Sequence, residues 1–418
     1  MKQETFNLKE AVDEKKVVGL WRLLKGHQLI YLIAMLCVGL AALSQTGIYY
    51  FLGYFVDNIL PAENMLQQLP WVALGFIGLA VLQGLFTFVG GRLAAKTAEN
   101  SVLRIRNFLY DHIQRLTFTY HDKMQTGELL QRSTSDVDTV RRLFSEQTVG
   151  IGRIVLLFLV NFVAILTINV RLAFLSVIII PIMVIISYFF FVKLGEAYER
   201  FQAQEATLSN RLQENLAGVR VVKAFARQRF EKDMFEVENQ EKYQLGRRLT
   251  RMHAVYWPAT DILSGLQMLL GYYLGAILAI DGVITVGAYL SYVGFVTQII
   301  WPIRNLGRLI ADVSMGLVSY GRILQIVRQE QEPIAVGTHR PATPLRGAVR
   351  FEKVNFTYEG EEDQVLHDIS FGIEPGQVVA LLGSTGSGKT SLVNLLLRFY
   401  AYTNGRILLD DVELNQYP

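Results

Sequence analysis

A single cysteine, Cys37, stands in the 418 residues, so no intrachain disulfide can form and a four-cysteine zinc site is excluded. Cys37 itself reads as apolar filler in its segment. Charge is scarce too: Asp, Glu, Lys and Arg make up 18% of the chain against 51% hydrophobic residues, and the mean hydropathy is +0.29. That balance does not suit a water-soluble protein. Six histidines and a net charge of +3 leave no concentrated basic face, so nucleic acid is not an expected partner. Residues 1–27 are polar and Lys-bearing without a short apolar core, which argues against a cleaved signal peptide and keeps the first apolar stretch in the mature protein.

What the chain has instead is long runs free of Asp, Glu, Lys and Arg. They cover residues 28–56, 64–91, 154–170, 172–192, 262–280 and 282–303, and a membrane-crossing helix needs about 20 such residues. The third is short unless it extends past Arg153. Six spans are therefore expected. The connection 92–142 carries nine Lys or Arg and 193–251 carries twelve, whereas the other three connections carry none, one and none. Positive residues stay on the cytoplasmic side, so both termini are expected there, with a multi-pass chain in the cell membrane. The two basic connections are too long for simple loops and are rich in helix formers over 103–116 and 196–216, so the spans are expected to continue inward as long helices. Ahead of the first span, residues 17–25 place Val18, Leu20, Trp21, Leu23 and Leu24 among basic residues, as in an interfacial helix on the inner leaflet.

Asp261, at the inner end of the fifth span beside Trp257 and Pro258, fits either a proton or cation site or a carboxylate paired with arginine at the boundary. Tyr49, Tyr50, Tyr54, Asn161, Gln267, Tyr292, Gln298 and Trp301 could line a cavity for an amphipathic substrate, and helix-packing polar groups or interfacial anchors would look the same.

Composition changes after Ile326. Pro333, Pro341 and Pro344 mark a linker, and a new domain begins at Val349. Val349, Phe351, Val354, Phe356 and Tyr358 lie close to a two-residue alternation, and 365–373 reads as a second strand after the acidic turn 359–363. The apolar run 378–382 reads as a strand buried on both faces. It leads into Gly383-Ser384-Thr385-Gly386-Ser387-Gly388-Lys389-Thr390, the phosphate-binding pattern of Gly, four residues, Gly, Lys and Ser or Thr. The glycines let main-chain N–H groups converge on phosphates, and the helix expected over 391–400, opened by Ser391, presents its positive end to the same charge. Lys389 would bridge the terminal two phosphates of a nucleotide, and Thr390 would offer Mg²⁺ a hydroxyl ligand.

Six spans with two long inner extensions, joined to a strand, phosphate loop and helix, resemble a half-transporter of the ATP-binding-cassette exporter class. Tyr120-His121-Asp122-Lys123-Met124-Gln125-Thr126-Gly127-Glu128-Leu129 with Asp136-Val137-Asp138 is similar to the family's first inner loop, and Gly218-Val219-Arg220-Val221-Val222-Lys223-Ala224-Phe225 to its second. The resemblance implies that both loops hold short coupling helices that dock on nucleotide-binding domains, and that Tyr358 stacks on adenine, which its flat apolar face suits. It implies ATP and Mg²⁺ as ligands, a second half-transporter as partner in a homodimer or heterodimer, membrane lipid around the spans, and outward movement of a small amphipathic drug, lipid or peptide.

The expected fold is a membrane all-α domain of six helices with long cytoplasmic extensions, followed by the N-terminal part of an α/β P-loop domain. Its parts would be 1–27 (N-terminus with the interfacial helix), 28–328 (spans), 329–348 (linker) and 349–418 (incomplete ATP-binding domain). In the family the glutamine, signature sequence, acidic residues and switch histidine that complete hydrolysis follow the strand that residues 406–410 resemble. Asp410 and Asp411 lie too close behind the loop to be those acids and read as a surface turn. No general base can be assigned, so the 418 residues alone are not expected to turn over ATP efficiently, and their exposed strand edges would favour aggregation. A non-catalytic nucleotide-binding subunit that regulates or scaffolds a competent partner is the alternative reading. A membrane-anchored P-loop kinase fits poorly, because six spans exceed what anchoring needs.

Overall fold

The computed structural model of the protein describes residue 8, residues 15–332 and residues 337–418. In chain order its helices are α1 Lys16–Leu23, α2 Gln28–Tyr54, α3 Met65–Gln114, α4 Phe118–Lys123, α5 Thr126–Gln131, α6 Val137–Arg142, α7 Thr148–Ile168, α8 Val170–Val177, α9 Ile180–Ala217, α10 Val219–Ala224, α11 Gln228–Ile280, α12 Val286–Arg304 and α13 Leu306–Val327. Then come β1 Val349–Phe356, β2 Leu366–Ile373, α14 Lys389–Leu396, β3 Asn404–Leu409 and β4 Val412–Glu413. Six helical stretches are long and apolar enough to cross a membrane: Gln28–Ile59, Met65–Gln114, Thr126–Ile168, Val170–Ala217, Gln228–Ile280 and Val286–Val327. The chain is a multi-pass membrane protein. Helices dominate because a backbone in hydrocarbon must satisfy its own N–H and C=O groups.

The helices outrun the apolar stretches, α3 and α11 reaching 50 and 53 residues, or about 75–80 Å at the α-helical rise. The third span corrects the expected 154–170 at both ends. It begins upstream of Arg153, through the π-helical turns Arg132–Asp136 and Leu143–Gln147, and stops at Ile168. Asn169 breaks it there, its side chain accepting the N–H groups of Arg171 (2.9 Å) and Leu172 (3.2 Å) to cap α8, as a short polar side chain does at a helix start. The interfacial helix forms as α1, with Leu20 and Leu23 buried and Val17 and Trp21 exposed.

The chain divides into two compact units. The first comprises Glu14–Val102 and Asp138–Ser319. Its core gathers Ile154, Ile165, Leu172, Tyr292, Phe295 and Val296, while the second span is only 6% buried across its apolar window and turns Leu74, Ile77, Val81, Leu85 and Phe88 outward. α2 and α12 approach closely enough that a Cβ on Gly294 would fall 2.0 Å from the Tyr49 ring. Above that contact the Asp57 carboxylate takes the Gly287 N–H at 2.7 Å and the Thr285 hydroxyl, capping the start of α12. Such small-residue seams suit membrane helices, where packing and hydrogen bonds replace hydrophobic drive. Asp261 is ion-paired with Arg304, whose guanidinium also lies over the Trp257 ring at 5.4 Å. Of its two sequence readings, the paired carboxylate describes this geometry.

Among the described residues the second unit comprises residue 8 and residues 103–137, 320–332 and 337–418. Its sheet is antiparallel throughout, in the order β2-β1-β3-β4. Phe351, Val354, Phe356, Leu366 and Ile407 pack with Leu392 and Leu395 of α14. The three-residue step from Phe351 to Val354 is a bulge with Lys353 at φ +48°, which keeps both side chains on the core face where strict alternation would have sent Val354 outward. Asp410 and Asp411, both at positive φ, make the tight β3–β4 turn, a conformation that suits a two-residue hairpin.

One expected element is corrected. Residues 378–382 form no strand, and Val378 and Leu382 are 95% and 93% exposed. A strand buried on both faces needs a neighbour on each side to take its N–H and C=O groups, and among the described residues none of the four strands pairs with this run. The helix expected over 391–400 is also displaced. It occupies Lys389–Leu396 and ends before Arg398, which sits at φ +59°.

Asp410 has a role that its place in the sequence does not announce. Its carboxylate accepts the N–H groups of Arg346 (2.6 Å), Gly347 (3.0 Å) and Ala348 (2.9 Å), tying the linker to the hairpin. The Ala348 bond foremost, joined by those to Arg346 and Gly347, holds this carboxyl below the usual carboxylate range. A depressed value means that the tether is at full strength above the ordinary carboxylate pKa and is lost as pH falls through the folded one. Hydrogen-exchange protection of the 346–348 amides is therefore expected to be flat from neutrality to about pH 4 and to fall below that. Asp410→Asn should lose protection already at neutral pH. Unchanged protection in that variant would mean that the side chain is not the anchor.

Candidate functional site

The glycine-rich segment is entered through a tight turn. β2 ends in Glu374-Pro375-Gly376-Gln377, where the Gln377 N–H donates to the Glu374 carbonyl at 3.0 Å and Gly376 has φ +78°, the geometry that Pro followed by Gly favours. After the unpaired run 378–382 the chain loops from Gly383 to Gly388 and enters α14. Gly386 and Gly388 both have positive φ, +87° and +82°. Gly388 is constrained twice, because a Cβ there would also lie 2.6 Å from Leu366 Cδ2, and one on Gly383 would lie 2.6 Å from Ser387 Oγ. These glycines allow the main chain to fold on itself while leaving its N–H edge clear.

Lys389 folds back over the loop. Its Nζ donates to the carbonyls of Gly383 (2.9 Å) and Ser384 (2.7 Å) and to Ser387 Oγ (3.2 Å). These acceptors are neutral, and among the described residues no carboxylate pairs with the ammonium beside the first turn of α14. The opening N–H groups of that helix have no intrahelical acceptor. Positive charge, unfilled donors and absent side chains at one place make a receptor for an anion with several oxygens. Thr385 lies in the exposed loop, and Thr390 is exposed in the first helical turn, so its hydroxyl is accessible to a hydrated cation. The residues present thus fit the triphosphate of a nucleotide and Mg²⁺.

Ser391 points the other way. It is buried, with its Oγ hydrogen-bonded to the Tyr358 hydroxyl at 2.8 Å, so the structure joins Tyr358 to the loop through the helix. The Tyr358 ring meets Phe356 (centroids 4.7 Å, planes 73°) and Tyr400 (5.1 Å, 86°) edge-on. A hollow of about 490 Å³ opens beside it, bordered by Asp122, Lys123, Val365 and Tyr400 among others.

The inner loop that the resemblance expects to dock touches this region through Phe118, Phe399 and Tyr400, which sequence reasoning did not single out. Phe118 stacks on Phe399 (4.5 Å, 7°) and meets Tyr400 edge-on (5.6 Å), Tyr400 donates its hydroxyl to Asp122, and Lys123 reaches Glu359 at 3.8 Å. Burial, then the Asp122 carboxylate, raises the Tyr400 pKa above that of an ordinary phenol, so the hydroxyl stays protonated and donating. The adjacent aromatics Phe399 and Tyr400, just after an apolar helix, were the available signal. α10 forms as a six-residue helix in the other unit, with Val221 61% and Phe225 75% exposed.

The candidate cavity residues scatter. Tyr292 and Asn161 are fully buried and bonded to Ser176 (2.9 Å) and Thr46 (3.1 Å), and Gln267 is buried against the Ser176 carbonyl. Packing accounts for these three. Gln298 is 8% exposed and Tyr49 packs within the core, while Tyr50 and Tyr54 are 57% and 53% exposed. The Trp301 side chain lies outside the described residues.

Residues 31–303 match the family described as the ABC transporter transmembrane region, and 366–418 match the ABC transporter family. An uncharacterized ABC transporter ATP-binding protein of Bacillus subtilis is 31% identical over 368 residues, 87% of this chain and 62% of that protein. An ATP-dependent lipid A-core flippase of Pseudomonas fluorescens is 30% identical over 398 residues, 93% of this chain and 66% of its own length. A fatty acid ABC transporter ATP-binding/permease protein of Mycobacterium tuberculosis is 29% identical, covering 81% of this chain and 53% of that one. The chain thus spans under two thirds of the length of such relatives.

Proposed function

The chain belongs to the ABC transporter family, and from that premise we propose that the whole protein is an exporter half-transporter in which ATP binding and hydrolysis drive an amphipathic substrate outward. Gly383, Ser384, Thr385, Gly386, Ser387, Gly388 and Lys389 hold the phosphates, Tyr358 borders the base, and Ser391 anchors Tyr358 to the helix. Mg²⁺, held by the Thr390 hydroxyl together with phosphate oxygens, would neutralise charge on the transferred phosphoryl group. The lysine fixes the phosphates by charge, and the loop excludes side chains from their path. Both termini lie on the cytoplasmic side of the cell membrane. Domain boundaries near 28, 329 and 349 follow from the same reading.

The observation that carries it is the phosphate loop in one chain with six spans, its helix packed on the sheet and followed by Phe399 and Tyr400, which grip α4. A ligand at the loop can then bias the helices by binding one arrangement better than another. The exposed apolar face of α10 supports a second half-transporter as partner, since Val221 and Phe225 would be covered by its nucleotide-binding domain. Relatives named for lipid A and fatty acid support an amphipathic substrate.

Inside-out vesicles bearing the whole protein test this. They are expected to accumulate a fluorescent amphiphile only with ATP and Mg²⁺, with hydrolysis stimulated by the amphiphile. No hydrolysis by the unmutated protein, alone or as a homodimer, would transfer the motor role to another subunit and leave this one as a regulator or scaffold.

A further inference from the structure

Where α9 and α11 run side by side, a groove of about 560 Å³ opens between them. Its floor is the Phe190–Tyr256 stack, with ring centroids 3.9 Å apart and planes 9° from parallel. Ile186, Val255 and Leu263 form apolar walls, Arg248 and Arg251 stand at one end, and no acidic residue lines it. Both arginines are exposed, and neither has an ion pair or hydrogen bond among the described residues.

The depth of this groove is set by its own residues. Phe190 lies just before the end of the charge-free stretch of α9, which closes at Lys193, and it meets His253 at 5.9 Å. Lys193 on α9 and Asp261 on α11 close the charge-free stretches and bracket the boundary zone that the groove crosses, Tyr256 and Trp257 stand within that zone, where amphipathic rings collect, and Arg251 and Arg248 lie at its aqueous end. Two unpaired guanidinium groups fall at headgroup depth, below an apolar channel that runs into the bilayer. At that depth an anionic headgroup would supply the charge that the arginines lack.

We infer that this groove binds an anionic phospholipid from the leaflet on the Lys- and Arg-rich side, its phosphate held by Arg248 and Arg251 and one acyl chain lying along Ile186, Val255 and Leu263. Arg suits the role because its planar fork can hold two phosphate oxygens at once. The inference does not depend on what the protein exports.

Native mass spectrometry of the detergent-solubilised whole protein, titrated with phosphatidylglycerol or phosphatidylcholine, reads it directly. Phosphatidylglycerol is expected to be retained on the order of tenfold better. Arg248→Gln with Arg251→Gln should erase that preference, and Ala259→Trp, which fills the groove but keeps both arginines, should lower retention of both lipids. Equal retention of the two lipids by the unmutated chain, or an undiminished preference in the double variant, overturns the proposal. A photoreactive phosphatidylglycerol on the unmutated chain gives a readout free of any variant's folding: crosslinks should concentrate within 248–263 and 186–190, and an even spread over the six spans overturns it equally.

Discussion

Replacing Lys389 with alanine is expected to lower ATP hydrolysis by the whole protein by about a hundredfold or more, the usual scale for removing one preorganised group that stabilises transition-state charge. Lys389 is the only Lys or Arg between Gln377 and Leu397, so no neighbour can substitute. Its ammonium already sits at the loop, held by two carbonyls and a hydroxyl, and it exchanges these neutral acceptors for phosphate oxygens at little cost in reorganisation. Alanine takes away the charge and leaves the glycines, so the loop should keep its shape. Far-ultraviolet circular dichroism and melting temperature should change little while steady-state phosphate release collapses. Hydrolysis at the unmutated rate would remove this loop from the motor and defeat the proposed function.

The parts of this protein that could be read from sequence are those whose physics is local. A run without charge declares a span because the bilayer imposes its length on each helix separately. The phosphate loop declares itself because two positive φ values and one close approach demand glycine at Gly383, Gly386 and Gly388. The run 378–382 misled for the complementary reason, since apolar composition fits a buried strand and only pairing partners make one. Contacts between distant residues were invisible too. Asp57 to Gly287, Asp410 to the linker amides and Tyr400 to Asp122 each join chemically ordinary residues far apart in the chain. Asp410 was legible as a turn residue from its neighbours, but its three amide partners lie beyond any local pattern. The cavity candidates divide on the same line. Tyr292 and Asn161 carry polar tips that suit a substrate as well as they suit Ser176 and Thr46, and only the fold decides which they meet.

Truncating Phe118 to alanine should separate hydrolysis from transport. Phe118 lies on α4, after the long α3 and before the third span, and stacks on Phe399. An aromatic pair of this kind contributes about 0.5–1.5 kcal/mol beyond the area it buries, and coupling between two sites commonly amounts to about 1–3 kcal/mol, so losing the stack can remove much of the coupling. The expected result is a fall of about tenfold in substrate moved per ATP hydrolysed, with nucleotide affinity unchanged. Tyr400→Phe, which keeps the ring and deletes the hydroxyl bonded to Asp122, should give a smaller loss in the same direction. The ratio of transport to phosphate release in one vesicle preparation decides the matter. A parallel fall of both would mean that Phe118 supports the nucleotide site itself. An unchanged ratio would mean that motion passes to the spans by another route, for which α10 and its exposed Val221 and Phe225 are the next segment to truncate.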